Sequence, residues 1–290
     1  MDFNLSNLGK KTLEEFNNIK NLPTIPKVVM EVNDMVRNHT GNVGLLAEAV
    51  GKDQGLTTKI LTVANSPLYG LPKKVSSIEF AIMLLGMAEI ANIVTALSLA
   101  SVVQGRDVEG FDYMKFWKHS MIVGTAAKDI ARRLSFSEFA GDAFVAGMLH
   151  DIGIQLMAKF SPDRFKDIVN MVQENKISYL EAERTVLGVS HAEIGGFMAT
   201  KWNLPSNLTQ TIEYHHLPSN IGDENITLNI VHLADSMTQM FDIGTHDCDS
   251  NVELDESIIK TLNFSDKSEL EEFVEEYFLI FQDTADLIKL

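Results

Sequence analysis

A chain of 290 residues with 45% apolar side chains can build one large or two ordinary domains around a real core. Its 24 Lys and Arg against 40 Asp and Glu leave a net charge of -16, a surface that repels phosphate backbones and anionic lipid and argues against direct nucleic-acid or membrane binding. The single cysteine, Cys248, excludes an internal disulfide and fits a reducing cytoplasm, while Met1-Asp2-Phe3-Asn4 lacks the basic and apolar segments of a secretory signal.

Periodicity predicts helices throughout. After a short polar lead, an amphipathic helix from about Thr12 places Leu13, Phe16 and Ile19 on one face. Leu22-Pro23-Thr24-Ile25-Pro26 then breaks the chain, because each proline disfavours helix in the residue before it. A helix buries Val28, Val29, Val32 and Val36. Thr40-Gly41-Asn42 closes it and opens another that carries Leu45, Leu46, Ala49 and Val50. Leu56 to Ala64 is the next helix, stopped by Asn65-Ser66-Pro67, and a linker from Leu68 to Val75 leads to Ser76-Ser77-Ile78-Glu79, a helix start with a capping carboxylate. Gly86 divides that helix from a longer one at Ala88 to Val103. Ala81 to Val103 is the nearest approach to a membrane span, but Glu89, Asn92, Thr95 and Ser98 interrupt it, and a buried helix pair is the better reading.

Gln104 to Gly110, polar and flanked by glycines, reads as the internal boundary. Helices follow around Phe116 to Leu134, Glu138 to His150, Pro162 to Glu174 and Tyr179 to Leu187. Ser190-His191-Ala192-Glu193 has the form of a capping box, which puts His191 in the first turn of a helix to about Trp202. Leu204-Pro205 starts a helix ending at His215-His216-Leu217-Pro218, and Ile226 to Met240 forms a strongly apolar one carrying His232 and Asp235. Residues 242–255 read as an acidic loop. From Ser265 a terminal amphipathic helix turns Leu270, Phe273, Val274, Tyr277 and Phe278 inward. No segment alternates as a strand would, so the expected class is all-α. The expected parts are a lead at 1–20, a helical subdomain at 21–105, a helical core at 111–242 and a terminal helix at 255–290.

Chemistry concentrates around Ala146-Gly147-Met148-Leu149-His150-Asp151-Ile152-Gly153, an apolar helical run that ends in adjacent imidazole and carboxylate and stops on a glycine. If helices carrying His119, His150-Asp151 and Asp235 pack together, two imidazoles and two carboxylates surround one point, a set that suits iron, manganese, zinc or nickel. His191 with His215 and His216 then holds a second ion, Asp151 bridges the two, and the pair would clamp an in-line attack on phosphorus. The positive end of a helix dipole disfavours imidazolium at His191 and keeps that ring neutral, as a ligand must be. The competing reading makes each histidine a hydrogen-bonded core or cap residue, and the residues alone balance the two. His39 and His246 fall in loops and His232 lies almost a turn from Asp235, so none of the three joins the set. Gly195-Gly196 lacks the preceding strand of a phosphate loop, and Ser190 is a cap rather than a triad nucleophile. The thirteen methionines are mostly core filler that would also suit an adaptable partner surface.

In order and combination, these motifs resemble the HDOD family, the HD-related output domains of bacterial signalling proteins. The resemblance rests on Leu22-Pro23-Thr24-Ile25-Pro26, Leu56 through Ser66, Ser77-Ile78 with Ala81-Ile82 and Leu85-Gly86, and Phe116-Trp117 with His119-Ser120. The run from His150 to Gly153, His191 with Ile194-Gly195, Trp202-Asn203-Leu204-Pro205, His215-His216 and Ala234-Asp235 complete it over residues 20–240. It implies an N-terminal helical subdomain packed on a five-helix core like that of HD phosphohydrolases. The ligand order of that superfamily is met by His119, His150, Asp151 and Asp235, and His191, His215 and His216 match the second metal site of the related HD-GYP phosphodiesterases. Ile154 stands where those enzymes carry a phosphate-contacting lysine, no Gly-Tyr-Pro segment follows His216, and Asp53-Gln54 replaces an aspartate-proline pair. The resemblance therefore implies a cytoplasmic output module with a divalent-metal pocket for one or two ions, acting through signalling protein partners. The alternative it implies is a metal-dependent phosphohydrolase with Asp151 at its catalytic centre.

Overall fold

Side chains that are apolar every three to four residues, between well-capped ends, set the helices of the first third of the chain. The computed structural model describes residues 6–19, 24–66, 69, 71, 73–103, 108–221, 225–246, 248 and 254–287. The expected chain start, Leu22-Pro23, Pro67, the linker's Leu68, Gly70 and Pro72, and residues 104–107 of the boundary lie outside them. The first six helices are α1 (Asn7–Asn17), α2 (Lys27–Arg37), α3 (Val43–Gly51), α4 (Gln54–Ala64), α5 (Ile78–Leu85) and α6 (Met87–Val102). Asn42, Asp53 and Ser77 each accept a backbone N–H two to three residues into their helices. Gln54 occupies the first position of α4, where proline is tolerated, so the change from aspartate-proline leaves the Asp53 cap intact. Gly86, at φ +88°, is the left-handed joint between α5 and α6.

The remaining helices are α7 (Tyr113–Arg133), α8 (Ala140–Leu149), α9 (Ile152–Phe160), α10 (Pro162–Asn175), α11 (Tyr179–Leu187), α12 (His191–Lys201), α13 (Ser206–Tyr214), α14 (Ile226–Phe241), α15 (Ile258–Thr261) and α16 (Lys267–Leu287). Among the described residues there is no strand, only an isolated bridge between Val108 and Phe111, so the fold is all-α. α2 and α4 pack on α6, and α6 packs on α8. α8 is sandwiched further by α7 and α14, while α12 lies between α9 and α13. Between α6 and α7 a buried lysine, Lys128, pairs with Glu89 and donates to the Tyr69 hydroxyl at 3.1 Å. No helix of the described residues is long and apolar enough to cross a membrane.

Four elements differ from the sequence expectation. α1 begins at Asn7 rather than Thr12, because Ser6 caps it and Gly9 lets it reach Gly188; a Cβ on Gly9 would stand 2.6 Å from the Gly188 carbonyl oxygen. The chain does not stop at Gly153: it restarts at once as α9, whose side chains from Ile152 to Ala158 are all buried. Buried on every face, α9 has no amphipathic stripe to betray it. On α16 the face that turns inward is Leu270, Val274, Tyr277 and Phe281, whereas Phe278 is 43% exposed and meets the Phe241 ring at right angles. The four-residue α15 was not expected.

Candidate metal centre

His150 and Asp151 follow a helix that is buried from Ala143 to Leu149, so they emerge inside the protein rather than at its surface. The backbone turns at Asp151 (φ -93°, ψ 11°) and continues as α9. Gly153 permits the next approach: a Cβ there would lie 1.9 Å from the His191 carbonyl oxygen, so α9 and the start of α12 touch backbone to backbone. The expected capping box is present, with Ser190 N–H donating to the Glu193 carboxylate at 2.7 Å and Glu193 N–H to Ser190 Oγ at 3.3 Å. It fixes His191 as the first residue of α12. His215 and His216 follow the end of α13, α7 carries His119, and α14 carries Asp235.

All seven expected residues converge, and all are buried. Asp151 stands between two groups. On its Oδ1 side, His191 Nε2 and His215 Nε2 are each 3.3 Å away, and His216 Nε2 lies 2.8 Å from His191 Nε2. On its Oδ2 side, His150 Nε2 is 3.3 Å and His119 Nε2 3.6 Å away. Asp235 Oδ1 completes this second group at 3.3 Å from His119 Nε2 and 3.8 Å from His150 Nε2.

The rings are oriented from behind. Nδ1 of His119 faces the Gly244 carbonyl at 3.1 Å, that of His150 the Gly147 carbonyl at 2.7 Å, and that of His215 the Ile212 carbonyl at 2.9 Å. A carbonyl only accepts, so each neutral ring carries its proton on Nδ1 and points a bare Nε2 inward. The Nε2 atoms of His119 and His150 are then 3.1 Å apart, lone pair against lone pair unless a proton or cation lies between them. Asp151 Oδ1, His215 Nε2 and both Asp235 oxygens, all buried, form no hydrogen bond. Buried polar atoms are almost always bonded, so this pattern marks places for ions. Ligands at about 2.1 Å from one ion stand roughly 3.0–3.4 Å from each other, which matches most of these separations. Imidazole and carboxylate donors in this mixture fit a divalent transition metal: Asp151, His191, His215 and His216 would hold one ion, and His119, His150 and Asp235, with Asp151 Oδ2 beside the two rings, another.

Protonation follows the same geometry. Burial pulls His150 down, but Asp151 and Asp235 outweigh it and push the ring up to about 9. Burial also acts against His191, yet Glu183 and Asp151 hold it well above its ordinary value. The neutral ring expected there from the helix dipole is therefore corrected: a full carboxylate charge 2.9 Å from Nδ1 outweighs the half-charge of a helix end. Asp151, opposed by burial, is held well below the carboxylate range by His150, and Asp235 falls to about 2 against the same penalty because the His119 ring, and behind it His150, faces its Oδ1. Burial pulls His215 and His216 down.

Three residues of the site were not foreseen. Glu183 on α11 accepts from both His191 Nδ1 and the His191 backbone N–H, each at 2.9 Å. Its signal was its register: Tyr179, Glu183 and Leu187 lie four apart, and all three are buried. His246, set aside as a loop residue, reaches Asp151 Oδ2 with its Nε2 at 2.8 Å. His232 remains outside the donor groups but braces them, donating from Nδ1 to the His215 carbonyl at 2.6 Å and accepting Asp255 N–H at Nε2.

The HDOD domain model matches residues 22–218, more than half of the chain. The chain belongs to the HDOD family. Among solved structures, it is similar to an HDOD domain protein of unknown function from Geobacter sulfurreducens, 26% identical with a TM-score of 0.77, over 97% of this chain and 99% of that one. A candidate phosphohydrolase of Shewanella amazonensis SB2B shares the fold at 24% identity and a TM-score of 0.71, over 98% of both chains. A second Shewanella amazonensis SB2B structure, a candidate metal-dependent phosphohydrolase, shares it at 20% identity and a TM-score of 0.66, over 97% of this chain and 96% of that one. An uncharacterized protein of Treponema pallidum (strain Nichols) is 24% identical over 198 residues, 68% of this chain. The alignment spans only 38% of that relative's length.

Proposed function

We propose that this HDOD chain is a signal-transduction output module that binds divalent metal in the buried pocket around Asp151 and acts through contacts with partner proteins. The carrying observation is two donor groups that share one carboxylate and are sealed from solvent, with no donor more than 7% exposed. Such burial suits holding an ion more than turning over a bulky phosphate ester. Ile154, where HD-GYP enzymes carry a phosphate-contacting lysine, is fully buried in apolar surroundings, which further supports a binding role. Exposed Met30, Leu45, Met83 and Leu84 on α2, α3 and α5 offer apolar surface of the kind a protein partner uses, and the excess of acid disfavours nucleic acid and anionic membranes as partners. The test is turnover. Pure, metal-loaded protein should leave nucleotides, phosphomonoesters and cyclic dinucleotides intact while its melting temperature rises with added metal. Hydrolysis that disappears in His150→Ala would overturn this reading.

One observation favours a second reading, a metal-dependent phosphohydrolase. Asp151 offers Oδ1 to one donor group and Oδ2 to the other, the placement that a two-ion phosphoryl clamp uses. The ions would supply Lewis acidity and orientation at phosphorus. The chain's own part would be to hold the rings from behind, through the Gly244, Gly147 and Ile212 carbonyls and the Glu183 carboxylate.

A further inference from the structure

His246 lies in the stretch after α14 that turns through Asp242 (φ +52°) and Gly244 (φ +74°). Gly244 packs closely on α7, where a Cβ would stand 2.3 Å from Ile122 Cδ1. The stretch is thus pressed onto α7, and it reaches the centre twice. The Gly244 carbonyl accepts from His119 Nδ1, and His246, tilted against the Phe116 ring, reaches Asp151 Oδ2.

Position alone would make His246 another ligand, because its Nε2 clusters with His119 and Asp151. The far side of the ring says otherwise. Behind His119, His150, His191 and His215, Nδ1 meets an oxygen that accepts a proton. Behind His246, Nδ1 meets the Cys248 backbone N–H, a donor, at 3.3 Å. Nδ1 must then carry the lone pair, which places the proton of the neutral ring on Nε2, aimed at Asp151 Oδ2 2.8 Å away. A nitrogen that bears a proton has no lone pair to give to a metal.

We propose that His246 is a positioning residue, donating its Nε2–H to Asp151 Oδ2 and fixing the shared carboxylate without ligating an ion. The proposal rests on the metal-pocket reading, and the experiment separates the two. Co2+ is titrated into metal-free wild type, His246→Gln and His246→Ala, each confirmed helical by circular dichroism. Stoichiometry and affinity are read beside the hyperfine-shifted, exchangeable N–H proton resonances of the ligating imidazoles. A glutamine side chain keeps an N–H where Nε2–H stands, so His246→Gln should bind the wild-type number of ions with the same shifted N–H resonances and a Kd within about threefold. His246→Ala should also keep the stoichiometry and lose roughly ten- to a hundredfold in affinity, the usual effect of removing a residue that orients a ligand. An ion or a shifted resonance lost from His246→Gln would make His246 a ligand and overturn the proposal. So would wild-type affinity in His246→Ala. If wild type itself takes up no Co2+, the metal reading fails first and takes this proposal with it, whatever the variants do.

Discussion

Glu183→Gln tests how far the centre depends on groups that never touch an ion. The carboxylate accepts from His191 Nδ1 and from the His191 backbone N–H, each at 2.9 Å. Glutamine has one accepting oxygen, so it can serve one of these donors while turning its own NH2 toward the other. A buried N–H left without an acceptor costs about 1–3 kcal/mol, which should appear as lower stability of the metal-free protein. His191 also loses the charge that most favours its imidazolium, so its ring returns toward neutrality. For the ion, a ligand histidine released from its orienting partner weakens binding roughly ten- to a hundredfold. That range corresponds to about 1.4–2.7 kcal/mol. Competition titration with a chromophoric chelator measures the affinity, and calorimetry in buffers of different ionisation enthalpy counts the protons released. The expected outcome is weaker binding with fewer protons displaced per ion than in wild type. Binding within about twofold of wild type, with unchanged proton release, would refute the claim that Glu183 sets His191.

The remaining predictions follow from the same geometry. His150 stays protonated up to about 9 and His191 is raised likewise, so an ion must displace both protons; metal affinity should rise with pH through neutrality, about tenfold per unit for each proton displaced, and level off above the His150 titration. Flat or falling affinity over that span would contradict it. In the metal-free protein the sign reverses, because the folded pKa of His150 lies above its ordinary 6.5: its contribution to stability is complete below that value and lost as pH rises toward about 9. Thermal melts of chelator-treated protein should fall across that window. Gly153→Ala drives a Cβ into the His191 carbonyl at 1.9 Å, backbone against backbone, so it should cost at least about 1–3 kcal/mol and weaken metal uptake; a wild-type melting temperature would show that α9 and α12 are not in contact. Chelation should destabilise the loaded protein by about 4 kcal/mol if metal had been present at a thousand times its Kd, read as a drop in melting temperature that added metal restores.

How much of this was legible in the sequence depended on whether a feature was local. Caps and periodicity are local, so Asn42, Ser190 with Glu193, and the joint at Gly86 read correctly and carried the all-α class with them. The start at Ser76 to Glu79 was placed correctly but is capped by the Ser77 hydroxyl rather than by a carboxylate. Gly153 misled because a glycine after a helix looks like a stop, whereas its missing side chain serves a contact with α12, some forty positions along the chain. The donor residues could be collected as types, since the chain has only eight histidines and most of them fall on or beside helices of its second half, and the structure brings all seven together. What oriented them was not visible. Carbonyl oxygens of Gly147, Ile212 and Gly244 belong to the backbone and leave no mark on residue identity. His246 depends on two left-handed residues and on the fit of Gly244 to Ile122, which only the packed structure reveals. His191 shows the same limit for charge, because its dipole could be read from its place in α12 but its partner on α11 could not.

The central claim is that Asp151 serves two ion positions at once. Equilibrium dialysis of metal-free protein against Mn2+, with the bound metal counted by elemental analysis, tests it most directly. The account predicts two ions per chain in wild type and the loss of both in Asp151→Asn, with His216→Ala losing one. Uptake of no metal by wild type, or two ions retained by Asp151→Asn, would contradict it.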